Sequence, residues 1–170
     1  DIQANAQKHL YNAEKWMLFS WLKIKNNEIE KDQRIDSSAV FGAFMFGLYP
    51  FDSEEIQSSM SAMHQALKMP QPEVLGIARY ENDQYFLVNS ELPGNPWLIT
   101  TLWLAQYYIE TNNRDEALKL IKWTKDRMMN TGVLPEQINP YDGKYVSVAP
   151  LIWSQSEYAS TLLDLVSESD

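Results

Sequence analysis

A chain of 170 residues is long enough for one domain with its own core, burying roughly 70% of its unfolded surface. A formal charge of −9 argues against a nucleic-acid partner, because phosphate binding needs clustered Lys and Arg, and it suits a neutral ligand such as a sugar. With no cysteine there is no disulfide, thiolate nucleophile or cysteine-ligated zinc, and no apolar run reaches bilayer length, so no membrane partner is expected.

The first helical pattern spans residues 2 to 25, with Ile2, Ala6, Leu10, Ala13, Met17 and Ile24 at three-, four- and seven-residue steps on one stripe. The second, from about Ser38 to Leu48, is apolar nearly all round and calls for burial on every side. The third opens with the capping-box pattern Asp52-Ser53-Glu54-Glu55, then puts Ile56, Met60, Met63 and Leu67 on one face until Pro70 stops it. The fourth, Pro96 to Ile109, is again apolar around most of its circumference. The fifth, Asp115 to Asn130, is amphipathic, with Gly132 near its C-terminal cap. The sixth, about Pro150 to Val166, holds Trp153, Ala159, Leu162, Leu163 and Val166. Almost no strand signal stands beside these.

One-sided and all-round burial therefore alternate along the chain. A double ring requires that, because outer helices meet water on one face while inner helices are covered by the outer ring and by one another. The connections at 26 to 37, 69 to 95 and 131 to 149 are long. Because successive helices are antiparallel, all three emerge at one end, the expected site face. The fold class expected is all-α, with helical hairpins forming about half of an (α/α)6 toroid, one partial domain over 1–170. Such a half would expose Phe41, Phe44 and Trp103. With no initiator Met and a helical pattern from the start, the reading is a piece of a longer chain, its upstream half absent. Its compartment, cytoplasmic or secreted, stays open.

Chemistry-bearing residues gather in two of the long loops. The first carries Gly76-Ile77-Ala78-Arg79-Tyr80-Glu81-Asn82-Asp83-Gln84-Tyr85 and ends in Gly94-Asn95-Pro96-Trp97. Aromatic faces beside charged forks suit a pyranose, and a solvated loop ended by an Asn95 cap fits equally well. The second carries Leu134-Pro135-Glu136-Gln137, a turn-rich stretch, then Ala149-Pro150-Leu151-Ile152-Trp153-Ser154. Glu136, flanked by Leu134 and Pro135, is partly desolvated in this reading, although alone it is one carboxylate among many. Glu54, Glu55, Asp115, Glu116 and Glu157 fall near helix starts and read as dipole partners. His9 and His64 are too far apart to argue for a metal, and no phosphate loop or nucleophile elbow occurs, so neither metal nor cofactor is expected.

In order and spacing these segments resemble family 15 glycoside hydrolases, the glucoamylase and glucodextranase group, from about Ile35 onward. Asp36-Ser37-Ser38 is similar to the family's Asp-Ala-Ser, with Ser37 departing from it. The resemblance implies inverting hydrolysis of terminal α-glucosidic bonds in an oligosaccharide or polysaccharide, with Glu136 as general base. It further implies Arg79 and Tyr80 lining the subsite of the reacting sugar and Trp153 as its aromatic wall, with Glu81, Trp97 and Gln137 in adjacent supporting positions. The family's general acid lies in an upstream Trp-Glu motif that does not occur in this chain, so the N-terminal half of the same enzyme is the expected partner. A non-catalytic carbohydrate-binding or regulatory helical module is the alternative reading, and a helical scaffold for protein contacts a third.

Overall fold

The computed structural model describes residues 2–167, with side chains from residue 4 onward, so Ile2's place on the first stripe lies outside the described side chains. Its helices are α1 Ile2–Leu10, α2 Ser37–Met45, α3 Glu54–Leu67, α4 Leu98–Glu110, α5 Arg114–Lys125 and α6 Ile152–Ser167. Three two-stranded antiparallel hairpins accompany them: β1 Tyr11–Asn12 with β2 Met17–Leu18, β3 Trp21–Lys25 with β4 Glu28–Asp32, and β5 Gln137–Ile138 with β6 Tyr145–Val146. The architecture is all-α, an arrangement of helical hairpins consistent with part of an (α/α) toroid. α4 packs between α5 and α6 and touches α2, which in turn packs on α3.

All-round burial holds at α4, where every residue from Leu98 to Gln106 is buried, but the same expectation is corrected at α2, which buries only Ser37, Val40, Ala43 and Phe44, and at α6, which buries only Ser154, Thr161 and Leu165. α3 shows the one-sided pattern, burying Ile56, Met60, Met63 and Leu67. Its start is the expected cap: Ser53 Oγ accepts from the Ile56 N–H at 3.3 Å, and Glu54 and Glu55 occupy the first turn.

The expected helix over 2 to 25 is corrected: it stops at Leu10, and residues 11 to 32 form two hairpins. Leu10, Met17 and Ile24 lie seven residues apart and fit a helical stripe, but Leu22 and Ile24 also alternate with Lys23 and Lys25, a period of two. Asn26 and Asn27 decide between them. With φ of 51° and 65° they form a two-residue hairpin turn that needs the left-handed region at both positions, which Asn tolerates. The resulting register sets Lys23 opposite Glu30 and Lys25 opposite Glu28, pairing opposite charges across the strands.

The fifth helix ends at Lys125 rather than Asn130, because tighter turns follow it: Arg127 N–H donates to Thr124 O and Met128 N–H to Lys125 O. Phe44 and Trp103 are not exposed, since Phe41 stacks on Trp103 at 4.4 Å and meets Phe44 edge-on at 5.5 Å. Among the exposed apolar positions are instead Ile24 on β3, Phe46 after α2, and Ile152, Trp153, Leu163 and Val166 on α6.

Candidate active site

The long loops meet at one end through a strip of paired extended backbone. Asp36 bridges Tyr80, Ile77 bridges both Lys68 and Trp97, and Trp97 bridges Gln137. Hydrogen bonds fix each rung: Ser37 N–H to Arg79 O at 3.0 Å, Ala78 N–H to Leu67 O at 2.9 Å, Trp97 N–H to Ile77 O at 2.9 Å, Leu98 N–H to Glu136 O at 3.1 Å and Ile138 N–H to Pro96 O at 3.0 Å. Thr100 Oγ1 donates to Ile77 O, and Thr101 Oγ1 accepts from Ile77 N–H, so the strip is locked onto the first turn of α4. Gly76 makes the close approach possible: a Cβ there would lie 2.7 Å from Pro96 Cβ and collide with the Trp123 ring.

This strip brings Arg79, Tyr80, Trp97, Glu136 and Gln137 side by side. The Arg79 guanidinium lies 4.3 Å from the Trp97 ring centre, 4.7 Å from Tyr80 and 5.7 Å from Tyr85. Its Nε and Nη2 donate to the two oxygens of Asp83, each at 3.0 Å, and Nη2 also reaches the Tyr80 hydroxyl at 3.2 Å. Asp83 is 1% exposed and accepts the Tyr85 N–H as well. Burial opposes the charge on Arg79, but the Asp83 hydrogen bond and charge outweigh it and hold the guanidinium above its ordinary range. Among the described residues Nη1 has no acceptor.

Glu136 is half-buried. Ser147 Oγ donates to its Oε2 at 2.5 Å and Gln137 Nε2 to the same oxygen at 3.4 Å, so Oε1 is without a donor among the described residues. Gln137 is fully buried, with its Oε1 taken by Asn95 Nδ2 at 2.8 Å, so it holds Glu136 from behind. Asn95 is not the helix cap that its position suggested. It is buried, bonded to Phe86 O and Val88 N–H, and Trp97 starts α4 without a side-chain cap. Glu81 faces the other way: its Oε2 accepts the Ile35 N–H at 2.7 Å, a backbone clasp.

Trp153 opens α6. Its turn is tied to the Glu136 loop by Ser154 Oγ donating to Pro135 O at 2.8 Å and Leu151 N–H to Leu134 O at 3.0 Å. Its indole is 52% exposed, 5.9 Å from Trp103. Glu157 is not a dipole partner in the first turn of α6; its carboxylate instead bonds Trp153 and Gln106. Ser147, which no sequence motif singles out, and Asn95 and Glu157, which the sequence assigns to other roles, act through contacts 42 or more residues apart or across a loop, which no local pattern records.

The floor of the candidate site combines the half-exposed Tyr85 and Trp153 rings with the Arg79 guanidinium and the Glu136 carboxylate, while the Trp97 ring against the guanidinium is buried. A cavity of about 380 Å³ lies elsewhere, between α3, α4 and α5, lined by His64, Lys68, Tyr108 and Glu116. Among the described residues no group of three acidic, His or Cys side chains could hold a metal, and no helix is long and apolar enough to cross a membrane.

The arrangement of helical hairpins is that of part of a six-hairpin toroid, a fold shared with solved glycosidases. No family model matches the chain. An uncharacterised glycosyl hydrolase of Methanocaldococcus jannaschii is 34% identical over 140 residues, covering 75% of this chain and 21% of that protein. A Glu-to-Ala variant of a glycosidase in complex with glucose superposes with a TM-score of 0.76 at 20% identity, covering 97% of this chain and 42% of that one. A bacterial glucoamylase complexed with acarbose gives 0.65 at 19% identity, over 86% of this chain and 23% of its own. The chain thus spans about a fifth of the curated relative it matches and under half of these structures.

Proposed function

We propose that this chain is the base-bearing part of an inverting glucoamylase-like glycoside hydrolase acting on terminal α-glucosidic bonds of an oligosaccharide or polysaccharide. The observation that carries the reading is Glu136: a half-buried carboxylate with both recorded donors on Oε2, beside an Arg79 fork stacked on Trp97. A carboxylate so held has Oε1 available to take a proton from water, while Arg79 and Tyr80 orient the sugar hydroxyls and Trp153 supplies a stacking face. In an inverting reaction the water attacks from the face opposite the leaving group, and a second carboxylic acid, about 6.5–9.5 Å from the base, protonates the leaving oxygen. That acid is assigned to the N-terminal half of the enzyme, so the 170-residue chain alone is not expected to cleave maltose. Glu81 and Gln137 act as supports, the first closing the loop on Ile35 and the second orienting Glu136.

The alternative, a carbohydrate-binding or regulatory module, shares the floor but not the role of Glu136. Calorimetric titration with maltose tests what the two share: Arg79→Ala is expected to weaken binding at least about tenfold, the value of a lost charged hydrogen bond. Glu136→Gln should bind within about twofold of the native chain if it serves the transition state rather than ground-state binding. Unchanged affinity in Arg79→Ala would count against both readings.

A further inference from the structure

Glu157 lies one helical turn beyond Trp153 on α6, half-buried, and no cation pairs with it among the described residues. Its two oxygens are divided: Oε2 accepts the Trp153 indole N–H at 3.3 Å, and Oε1 accepts Gln106 Nε2 at 2.9 Å. Gln106, buried in the middle of α4, also turns Nε2 to Thr161 Oγ1 at 3.1 Å, and its own Oε1 is buried with no hydrogen-bond partner. Both recorded bonds of the amide therefore fall on its nitrogen, the orientation that a carboxylate at Glu157 demands.

Trp153 differs from the buried tryptophans. The indole N–H groups of Trp97, Trp103 and Trp123 are buried without a hydrogen-bond partner. Trp153 is the half-exposed ring, whose N–H water alone would satisfy, yet it receives a carboxylate anchored through Gln106 to the buried face of α4. Trp153 also ends a chain of rings, Phe41 on Trp103 at 4.4 Å and Trp103 beside Trp153 at 5.9 Å. One edge is thus fixed by Trp103 and the N–H edge by Glu157, while the remaining surface stays open.

We propose that Glu157 is a positioning residue that fixes the indole plane of Trp153, making that ring a preorganised stacking platform for the sugar. This rests on the reading of the floor as a sugar subsite. Preorganisation matters because a side chain already held in its bound rotamer loses less freedom when a ligand arrives.

The test uses the 170-residue chain with 15N-labelled indoles, the Trp153 resonance assigned through Trp153→Phe, and maltose as probe. In Glu157→Ala the Trp153 N–H signal is expected to move upfield, and maltose Kd to rise roughly three- to tenfold, the range of a lost aromatic contact. Glu157→Gln retains an acceptor for the indole, and Gln106 can present its unpartnered Oε1 to the new amide, so most of both effects should reverse. A lower melting temperature with the Trp153 signal and maltose affinity unmoved would overturn the proposal, leaving Glu157 a strut between α4 and α6. So would a moved signal with native affinity. If the native chain binds no maltose while the signal still responds, the positioning stands and the sugar reading falls.

Discussion

Asp83→Asn is the perturbation that probes the floor most sharply. The carboxylate is 1% exposed and takes two bonds of 3.0 Å from Arg79 and one from the Tyr85 N–H. An amide keeps one acceptor and turns an NH2 toward the guanidinium, so the bidentate pair is lost and Arg79 is left without its counter-charge. Removing one partner of a buried ion pair costs about 3–5 kcal/mol, but the Arg79 side chain is 32% exposed and regains some water. A discounted cost of about 1.5–3 kcal/mol follows. With a urea slope near 2 kcal/mol/M, the unfolding midpoint should fall by roughly 0.7–1.5 M. Arg79→Ala leaves Asp83 buried and uncompensated and should cost at least as much, about 3 kcal/mol, while the double variant should cost well under the sum of the two. Midpoint shifts below about 0.3 M in both single variants, or strict additivity in the double, would refute the coupling of Arg79 to a buried Asp83.

Two further perturbations test the strip against α4 and the packing of α1. Gly76→Ala must push Trp123 or Pro96 aside, an overpacking cost of about 1–3 kcal/mol, and should lower the melting temperature by about 3–10 °C; an unchanged melt would mean the strip does not lie against Trp123 as described. Tyr49 donates its hydroxyl to Gln7 O at 3.0 Å, and burial, with the nearby Glu55 charge, pushes its pKa from 10.0 up to about 12. Because the phenolate is disfavoured in the folded state, the stability Tyr49 contributes is fully present below pH 10 and is lost as pH rises toward about 12. Tyr49→Phe should cost about 1 kcal/mol at neutral pH and flatten the decline between pH 10 and 12, read from urea midpoints across that range.

Much of the ring was legible because its helices obey simple periodicities. The all-round apolar stretch Leu98 to Ala105 announces an inner helix, and Ser53 with Glu54 and Glu55 announces an outer one. The N-terminal part failed because seven-residue spacing from Leu10 to Ile24 satisfies a helix while the two adjacent Asn residues, which set the hairpin, carry no hydrophobic signal. For the floor, the sequence placed Arg79, Trp97 and Glu136 in the right loops but could not order them against one another. Their adjacency depends on the bridges Ile77 to Trp97 and Trp97 to Gln137, pairings between loops 20 and 40 residues apart. Single polar residues such as Ser147, Asn95 and Glu157 acquire their roles only through such pairings.

The role of Glu136 is tested most directly with α-glucosyl fluoride and the 170-residue chain. Fluoride leaves without protonation, so the reaction needs a base to activate water but no general acid. The account predicts fluoride release above background with β-glucose as first product in proton NMR, and a drop of at least about 100-fold in Glu136→Gln. Release of fluoride at the native rate by Glu136→Gln, or α-glucose as first product, would contradict it.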